Sequence, residues 1–444
     1  MQTVVMKFGG TSVADAPRCL SAAQIIVQEK LRGNRVVAVV SARGDTTDDL
    51  YKLAYEISDN PSRRELDMLV STGEQISVAL MAIAIHKLGH QAISLTGAQM
   101  GIVTDDSHGK ARISNITPVR IVRELEDGKI VIAAGFQGTT MDSEITTLGR
   151  GGSDTTAVAI AASLGADMCE FYKDVDGIFT ADPRIVPGAR KLDSISHDEM
   201  LELASTGAGV LHSRAIELAK KFKVPLCVRS SFNTNSPGTV IIAEVPKMES
   251  VVVRGAAINN DEAKVTVIGV PDQPGIAAKI LEKVANKNIN LDMIVQNVGR
   301  DGKADVTFTV MKSDLREALE TCRQAAKEMG AADVAADDNV SKISVVGVGM
   351  RSHSGVAAKM FNALADQKIN IQMISTSEIK ISCVVDKNRG ADALRAVHAA
   401  FELDKPEENR TYGGTQHHPG TKAEDVSTAA PAPKARSTRR NTKK

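Results

Sequence analysis

Short apolar, β-branched runs alternate with helical patterns over the first 245 residues of the chain. The strand patterns are TVVMKF, VVAVVS, KIVIAAG, DMCEFY and PLCVRSS. This alternation predicts a parallel-rich sheet with helices on its faces, in which ligands bind beyond the carboxyl ends of the strands. We expect an α/β fold with a catalytic domain over residues 1–245, whose last strand is Pro237–Ile242.

The second half of the chain contains an internal duplication. Gly275–Ile294 and Gly355–Ile374 are identical at nine of twenty positions, and each copy is flanked by strand patterns and followed by a helix. The order of strand, helix, two strands and helix predicts ferredoxin-like βαββαβ modules. We expect one module over residues 263–338 and a second over residues 339–410.

Two segments lie outside these domains. Residues 246–262 are predicted to be a connector with one strand, VVVRGAAI, that adds to the sheet of one module. Met248, just before the repeats, offers an internal translation start for a separate regulatory chain. Residues 411–444 lack apolar periodicity and end in a basic stretch, so we predict a disordered tail that is either simply solvated or in weak contact with a polyanion.

Composition narrows the functional classes. The 444 residues carry 54 basic and 54 acidic side chains, 3% aromatic residues and no Trp, which argues against a nucleic-acid or membrane partner. The five Cys residues are far apart and lack metal-ligand or redox spacing, so we expect a cytoplasmic protein. No apolar run approaches the ~18 residues of a membrane span, and the longest, Val78–Ile85, is predicted to be a buried helix.

Two glycine turns carry the candidate chemistry. In KFGGTSV, Gly9 and Gly10 follow a strand, which lets backbone N–H groups approach a phosphate, and Lys7 lies near the carboxyl end of that strand. Lys7 precedes the glycines, so the motif is not a Walker A loop. An ordinary connection between a strand and a helix is the alternative interpretation.

The second turn is TLGRGGSDTT. Arg150 has a forked guanidinium that suits a carboxylate, Ser153 is predicted to cap a helix, and Asp154 could orient Lys7 or a metal-bound water. The alternative is a capped helix with a solvent-facing arginine. Two turns of this kind predict two charged ligands held end to end.

Six features together resemble the aspartate kinase family: KFGGTSV, SARGDTTD, STGEQ, TTLGRGGSDTTA, DVDGIFTADPR and the paired repeats. They follow that family's order over residues 1 to about 410. The resemblance implies the amino-acid-kinase fold followed by two ACT domains, which sense amino acids. It also implies transfer of the γ-phosphoryl group of Mg-ATP to the side-chain carboxylate of L-aspartate, giving 4-phospho-L-aspartate, the first step towards lysine, threonine, methionine and isoleucine.

The same resemblance implies the catalytic roles. Lys7 would neutralise charge on the transferring phosphoryl group, and Asp154 would position it. Arg150 would hold the α-carboxylate of aspartate and Glu74 its α-ammonium. The implied aspartate-binding residues are Ser41, Thr47, Glu74, Arg150, Gly151, Gly152 and Ser153, with the hydroxyls of the first two orienting the reacting carboxylate. The implied nucleotide-binding residues are Lys7, Phe8, Gly9, Gly10, Lys173, Asp174, Phe179, Thr180, Asp182 and Arg184.

One departure concerns a cation. Some relatives have a lysine in the later glycine segment, whereas GAGVLH places Gly209 there. The sequence favours Arg184 as the replacement. No protein ligand is predicted for Mg²⁺, which would sit mainly on phosphate oxygens and water.

The resemblance to ACT domains implies lysine, threonine or both as effectors, bound between modules and across a homo-oligomer. The implied effector residues are Asp272, Gln273, Pro274, Gly275, Ile276, Ala277, Asn290, Asp292 and Gln296 in the first copy, and Ser354, Gly355, Val356, Asn370 and Gln372 in the second. A family proline is replaced by Ser354. A purely architectural pair of dimerising domains is the alternative.

Two other functions stay open. One is a different member of the amino-acid-kinase fold that phosphorylates glutamate, N-acetylglutamate or carbamate. The other is a catalytically silent amino-acid sensor. Glu74 together with Arg150 favours an unblocked α-amino acid, because each end of the zwitterion then meets an opposite charge, and the Lys7, Arg150 and Asp154 set favours an active enzyme.

Overall fold

The fold is described from a computed structural model, for residues 1–207, 209–243, 252–299, 302–353 and 355–410. Met248, Ser354 and the tail predicted at 411–444 lie outside the described residues. The strands of the catalytic region are β1 (Thr3–Phe8), β2 (Arg35–Val40), β3 (Ala92–Leu95), β4 (Ile102–Thr104), β5 (Ile113–Ile116), β6 (Ile130–Ala134), β7 (Gln137–Thr139), β8 (Ile145–Thr147), β9 (Met168–Lys173), β10 (Ser194–Ser196), β11 (Leu226–Ser230) and β12 (Thr239–Ile242). Its helices are α1 (Ala16–Leu31), α2 (Thr46–Ile57), α3 (Arg63–Val70), α4 (Thr72–Lys87), α5 (Val119–Glu126), α6 (Gly152–Leu164), α7 (His197–Ser205) and α8 (Ser213–Phe222).

An eight-stranded sheet forms the centre of the catalytic region, in the order β10-β12-β11-β9-β1-β2-β6-β3. Its neighbouring strands are parallel except for β11 and β12, so the predicted parallel-rich α/β fold is confirmed. Strands β5-β4-β7-β8 form a second, smaller sheet. Because side chains alternate across a strand, Val5 packs with α6 and α8 on one face of β1 and Met6 packs with α1 and α4 on the other. Lys7 is the charged exception in a fully buried strand.

The regulatory region contains the two modules. Its strands are β13 (Gly255–Asn259), β14 (Glu262–Pro271), β15 (Ile294–Val298), β16 (Lys303–Met311), β17 (Asp333–Asp337), β18 (Val340–Val346), β19 (Met373–Thr376) and β20 (Lys380–Asp386). Its helices are α9 (Ile276–Ala285), α10 (Leu315–Met329), α11 (Val356–Asp366) and α12 (Gly390–Ala400).

The first module has the predicted βαββαβ order and the sheet β15-β16-β14-β17, whereas the second differs. Its sheet is β13-β18-β20-β19, and its fourth strand therefore comes from before the first module. The predicted strand in VVVRGAAI is confirmed for its second part, since β13 begins at Gly255 and pairs with β18 of the second module. The boundary predicted at residue 262 nevertheless places β13 outside the sheet to which it belongs. In that sheet β13 pairs with one edge of β18, and all residues of β18 are buried.

One helical stretch of the described chain, Arg63–Lys87, is long and apolar enough by length and composition to cross a membrane. However, 56% of its most apolar window is buried inside the protein, as a core helix would be. Val78, Met81 and Ile85 pack in the core beneath the central sheet, in agreement with the predicted buried helix.

Candidate active site

Three charged side chains meet at the carboxyl end of the central strands. The Lys7 ammonium lies 2.6 Å from Asp154 Oδ1, and the Lys173 ammonium lies 3.1 Å from Asp154 Oδ2. Burial lowers the pKa of Lys7 to about 8, although Asp154 acts in the opposite direction. Burial alone would raise the pKa of Asp154, but the two ammonium groups hold it well below its usual range. The site therefore combines two cations with one carboxylate, both of whose oxygens are used.

Strand register explains this meeting. Lys7 on β1 pairs with Phe171 on β9, and Lys173 is the last residue of β9. The Lys173 carbonyl accepts hydrogen bonds from the backbone N–H and the hydroxyl of Ser231, both at 2.8 Å, and the Ser231 hydroxyl lies 2.8 Å from that of Ser12. These bonds tie the end of β9 to the segment that follows the first glycine turn.

The first glycine turn packs closely on the segment after β2. A Cβ at Gly10 would lie 2.6 Å from the Ala42 carbonyl oxygen, which only glycine avoids. The Ala42 N–H in turn donates to Glu74 Oε1 at 3.0 Å. Glu74 is 3% exposed, and its Oε2 has no hydrogen-bond partner among the described residues. Burial raises the pKa of Glu74 to about 7, and Lys7 is close enough to oppose that rise.

The second glycine turn starts α6. Gly151 has φ of +73°, and a Cβ there would lie 2.2 Å from the ring of His212. Because Gly151 adopts this conformation, it is the N-cap of α6, and the predicted capping role of Ser153 is wrong. Ser153 instead lies buried in the first turn against Gly135. Asp154, one residue on, reaches Lys7, so the two glycine turns converge.

Arg150 is exposed and forms no ion pair within the described part of the chain. Ser41 directly follows β2, and its N–H donates to the Phe8 carbonyl at 3.1 Å. Thr47 lies in the first turn of α2 and is half-buried. Ser41 thus lies at the same sheet edge as Lys7.

The predicted nucleotide segment is only partly at this edge. Asp174 follows Lys173 and is exposed, and Phe179 is half-buried opposite Lys191. Thr180 is fully buried, and its hydroxyl lies 3.0 Å from His398 Nε2 of the second module.

Asp182 and Arg184 pair with each other at 2.7 Å, and the Arg184 side chain is 88% exposed. The cation beside Asp154 is Lys173, whereas Arg184, which the sequence favoured as the replacement for a lysine in the later glycine segment, is exposed and pairs with Asp182.

A buried carboxylate that sequence reasoning missed supports the second turn. Asp67 on α3 accepts hydrogen bonds from the Thr147 hydroxyl at 2.5 Å, from the Gly109 N–H at 3.0 Å, and lies 2.8 Å from His108 Nδ1. The signal was an acidic residue at a buried position of an amphipathic helix. Asp67 links the helical layer that carries Glu74 to the strand that leads into Arg150.

A cavity of about 300 Å³ lies in the first module. The predicted effector residues that line it are Asp272, Gln273, Pro274, Gly275, Ile276, Ala277 and Gln296. Asn290 and Asn370 are exposed, and Val356 is buried at the start of α11, just after Gly355.

Asp292 and Gln372 lie between the modules. Asp292 pairs with Lys342, which also pairs with Glu262, and Gln372 accepts a hydrogen bond from Lys264. Across the described residues, no group of three or more His, Cys, Asp and Glu side chains could hold a metal ion.

Comparison with known proteins gives consistent matches. Residues 2–230 match the amino acid kinase family, and residues 264–326 and 343–401 each match an ACT domain. The chain is 51% identical to the aspartokinase of Mycolicibacterium smegmatis over 421 residues, covering 94% of this chain and 100% of that protein. It is also 51% identical to the aspartokinase of Pseudomonas aeruginosa, covering 91% and 99%.

Solved structures are similar as well. Aspartate kinase from Synechocystis is 46% identical, with a TM-score of 0.51, over 90% of this chain and 69% of that one. E. coli aspartokinase III in complex with lysine and aspartate, in the T-state, is 25% identical, with a TM-score of 0.70, over 89% and 98%.

Proposed function

Because the chain belongs to the aspartokinase family, and its activity is that of an aspartate kinase, we propose that it makes 4-phospho-L-aspartate from L-aspartate and ATP. The observation that supports this reaction is the ion pair between Lys7 and Asp154, which joins the two glycine turns at one edge of the sheet. The product would enter the pathway to lysine, threonine, methionine and isoleucine, in the cytoplasm.

The reaction needs no general base. A carboxylate with an ordinary pKa near 3.9 is already ionised at neutral pH, so its oxygen attacks the γ-phosphorus while the bond to the β–γ bridging oxygen breaks and ADP leaves. Lys7 neutralises charge on the transferring group, and Asp154 holds Lys7 in place. Catalysis then consists of aligning the two anions, aspartate and ATP, and stabilising the negative charge that spreads over the transition state.

Aspartate would lie between the two turns. Arg150, free of other ion pairs in the described chain, would bind the α-carboxylate, and the unpaired oxygen of Glu74 would accept the α-ammonium. Ser41 and Thr47 would orient the reacting carboxylate, with the backbone of Gly151 and Gly152 and the buried Ser153 completing the site. N-acetylglutamate and carbamate lack the free ammonium that Glu74 would bind.

ATP would lie along the first glycine turn and β9. The backbone of Phe8, Gly9 and Gly10 would face its phosphates, because the Phe8 side chain is buried in the core. Asp174, Phe179, Asp182 and Arg184 would surround the remainder, with Thr180 supporting that segment from beneath. Mg²⁺ would be held by phosphate oxygens and water, since both oxygens of Asp154 are taken by lysines. Bound there, it would neutralise phosphate charge.

The modules would carry feedback regulation by lysine, threonine or both. The 300 Å³ cavity at the start of α9 suits an amino acid, because a helix N-terminus favours a carboxylate and Asp272 can accept an ammonium. The relative solved in its T-state holds lysine. We propose a homo-oligomer that assembles through the ACT domains, with a separate regulatory chain starting near Met248 as the alternative.

Trapping the acyl phosphate tests the reaction. Purified protein with L-aspartate, Mg-ATP and hydroxylamine should form aspartyl hydroxamate, and Lys7→Ala should abolish it while the fold is kept, because Lys173 still pairs with Asp154. Lys129→Ala, which removes an ion-paired lysine remote from the glycine turns, is the matched control. Near-normal hydroxamate from Lys7→Ala would refute the role of Lys7, and hydroxamate formed from glutamate instead of aspartate would favour the rival enzyme.

Regulation is tested by titrating lysine and threonine singly and together. We expect inhibition that Asp272→Ala weakens without changing the uninhibited rate. Unchanged turnover with both amino acids at saturating concentration would leave only an architectural role for the modules.

A further inference from the structure

Lys173 carries a feature that nucleotide binding alone does not explain. Its ammonium shares one carboxylate with that of Lys7, at 3.1 Å from Asp154 Oδ2 and 3.4 Å from Oδ1. Two like charges are thus held on one buried anion, which leaves a net positive charge at the carboxyl edge of the central sheet. Each ammonium raises the cost of burying the other, so stability does not account for the second one.

The fold does not need the Lys173 side chain to hold β9. The backbone of Lys173 is fixed by Ser231, which donates two hydrogen bonds to its carbonyl, and by the pairing of β9 with β1 and β11. The Lys173 side chain is left 18% exposed at the carboxyl end of the strand. It is therefore held in place by its neighbours and open on one side to a ligand.

The order of the strands assigns that ligand. The carboxyl ends of β9, β1 and β2 lie side by side. Lys173 begins the predicted nucleotide segment, Lys7 precedes the first glycine turn, and Ser41 begins the predicted aspartate segment. A phosphoryl group that passes from nucleotide to aspartate crosses over Lys7. Lys173 then lies on the side of the departing ADP.

We propose that Lys173 is a catalytic residue whose ammonium contacts the β–γ bridging region of ATP and stabilises the negative charge that gathers on the leaving oxygen. The proposal rests on the proposed function. In the transfer, the aspartate oxygen forms a bond to the γ-phosphorus, the bond between phosphorus and the bridging oxygen breaks, and its electron pair stays on ADP. Both lysines keep their protons throughout. Lys173 thereby replaces the cation that is missing at the exposed Gly209 and that the solvent-facing Arg184 does not provide.

The test compares Lys173→Met and Lys173→Arg with wild type and with the control Lys129→Met. In the hydroxamate assay, Lys173→Met should lower kcat on the order of 100-fold, as the loss of one charge-stabilising group does, while KM for L-aspartate changes less than about threefold. Lys173→Arg, which keeps the charge, should retain most of kcat. Lys129→Met should behave as wild type.

A second readout separates catalysis from scaffolding. Asp154, Lys173 and Glu74 are the charged groups that interact with the Lys7 ammonium, and Lys173 lowers the pKa of Lys7 by repulsion. Removing Lys173 should therefore move the alkaline limb of the pH profile of kcat/KM for ATP upwards from about pH 8. A merely structural lysine would move that limb in the same way, so the melting temperature decides: loss of a structural lysine lowers it, whereas loss of a catalytic lysine lowers kcat while the melting temperature is kept.

The outcomes are distinct. Lys173→Met with kcat within about threefold of wild type, or Lys173→Arg as inactive as Lys173→Met in a folded protein, would overturn the proposal. Failure of the wild-type protein to form any hydroxamate would instead sink the proposed function.

Discussion

Burial of the Glu74 carboxyl predicts that the ionised form, which would bind the substrate ammonium, lowers the stability of the folded protein. Its pKa is raised from 4.5 to about 7 by burial, a shift that corresponds to about 3 kcal/mol in favour of the neutral form. The folded state therefore binds the Glu74 proton more tightly than the unfolded chain. The stability that this proton contributes is full below about pH 4.5 and is lost as the pH rises to about 7.

Glu74→Gln is neutral at every pH and so avoids this loss. At about pH 8 the variant should be more stable than wild type by up to about 3 kcal/mol, which raises Tm by on the order of 5–10 °C, and the difference should vanish near pH 4.5. Its KM for L-aspartate should be high and independent of pH, whereas the wild-type KM should rise about tenfold per unit as the pH falls below about 7.

Thermal unfolding and Michaelis curves across this pH range measure both effects. Glu124→Gln is the control of opposite sign, because its lysine partner lowers the pKa of Glu124 and the exchange should destabilise the protein near pH 8. A Glu74→Gln variant that melts at or below the wild-type temperature near pH 8, with an unchanged pH profile for KM, would refute the reasoning.

Three further predictions concern single positions. Gly151→Ala adds a Cβ 2.2 Å from the His212 ring, so KM for aspartate should rise more than about tenfold while ADP affinity is kept; an unchanged KM would contradict the packing. Gly209→Lys in a Lys173→Met background should recover part of kcat, since a Cβ at Gly209 lies 3.8 Å from the Gly207 carbonyl oxygen and the left-handed φ of +54° costs about 1–2 kcal/mol; no recovery in a folded variant would show that this segment cannot supply the cation. Lys342→Ala leaves the Glu262 and Asp292 carboxylates unpaired and should cost about 3 kcal/mol, the low end for a broken buried pair because Asp292 is 42% exposed; an unchanged Tm would exclude that cost.

The sequence predicted the parts of the site that depend on local pattern. Strand periodicity placed Lys7 at the carboxyl end of β1, and the glycine pairs placed Asp154 at a helix start, so their meeting could be expected. Glu74 and Arg150 were found through motifs, but the unpaired oxygen of Glu74 follows only from the way Ala42 packs against it.

Other features depend on contacts between distant parts of the chain. Lys173 reaches Asp154 from the end of β9, which Ser231 anchors, whereas Arg184 pairs with Asp182. The N-cap of α6 lies two residues before the predicted cap, Ser153, because Gly151 adopts a left-handed conformation that the sequence did not predict. The partner of β13 lies beyond an entire intervening module, where local pattern carries no information about pairing.

The position of β13 also governs the order in which the chain can fold during synthesis. This strand leaves the ribosome before the first module is made. Its partner β18 emerges only after the whole first module has been synthesised. A fragment that begins at residue 262 would expose the bare flank of β18 to other chains. One that begins at Met248 would bring its own β13.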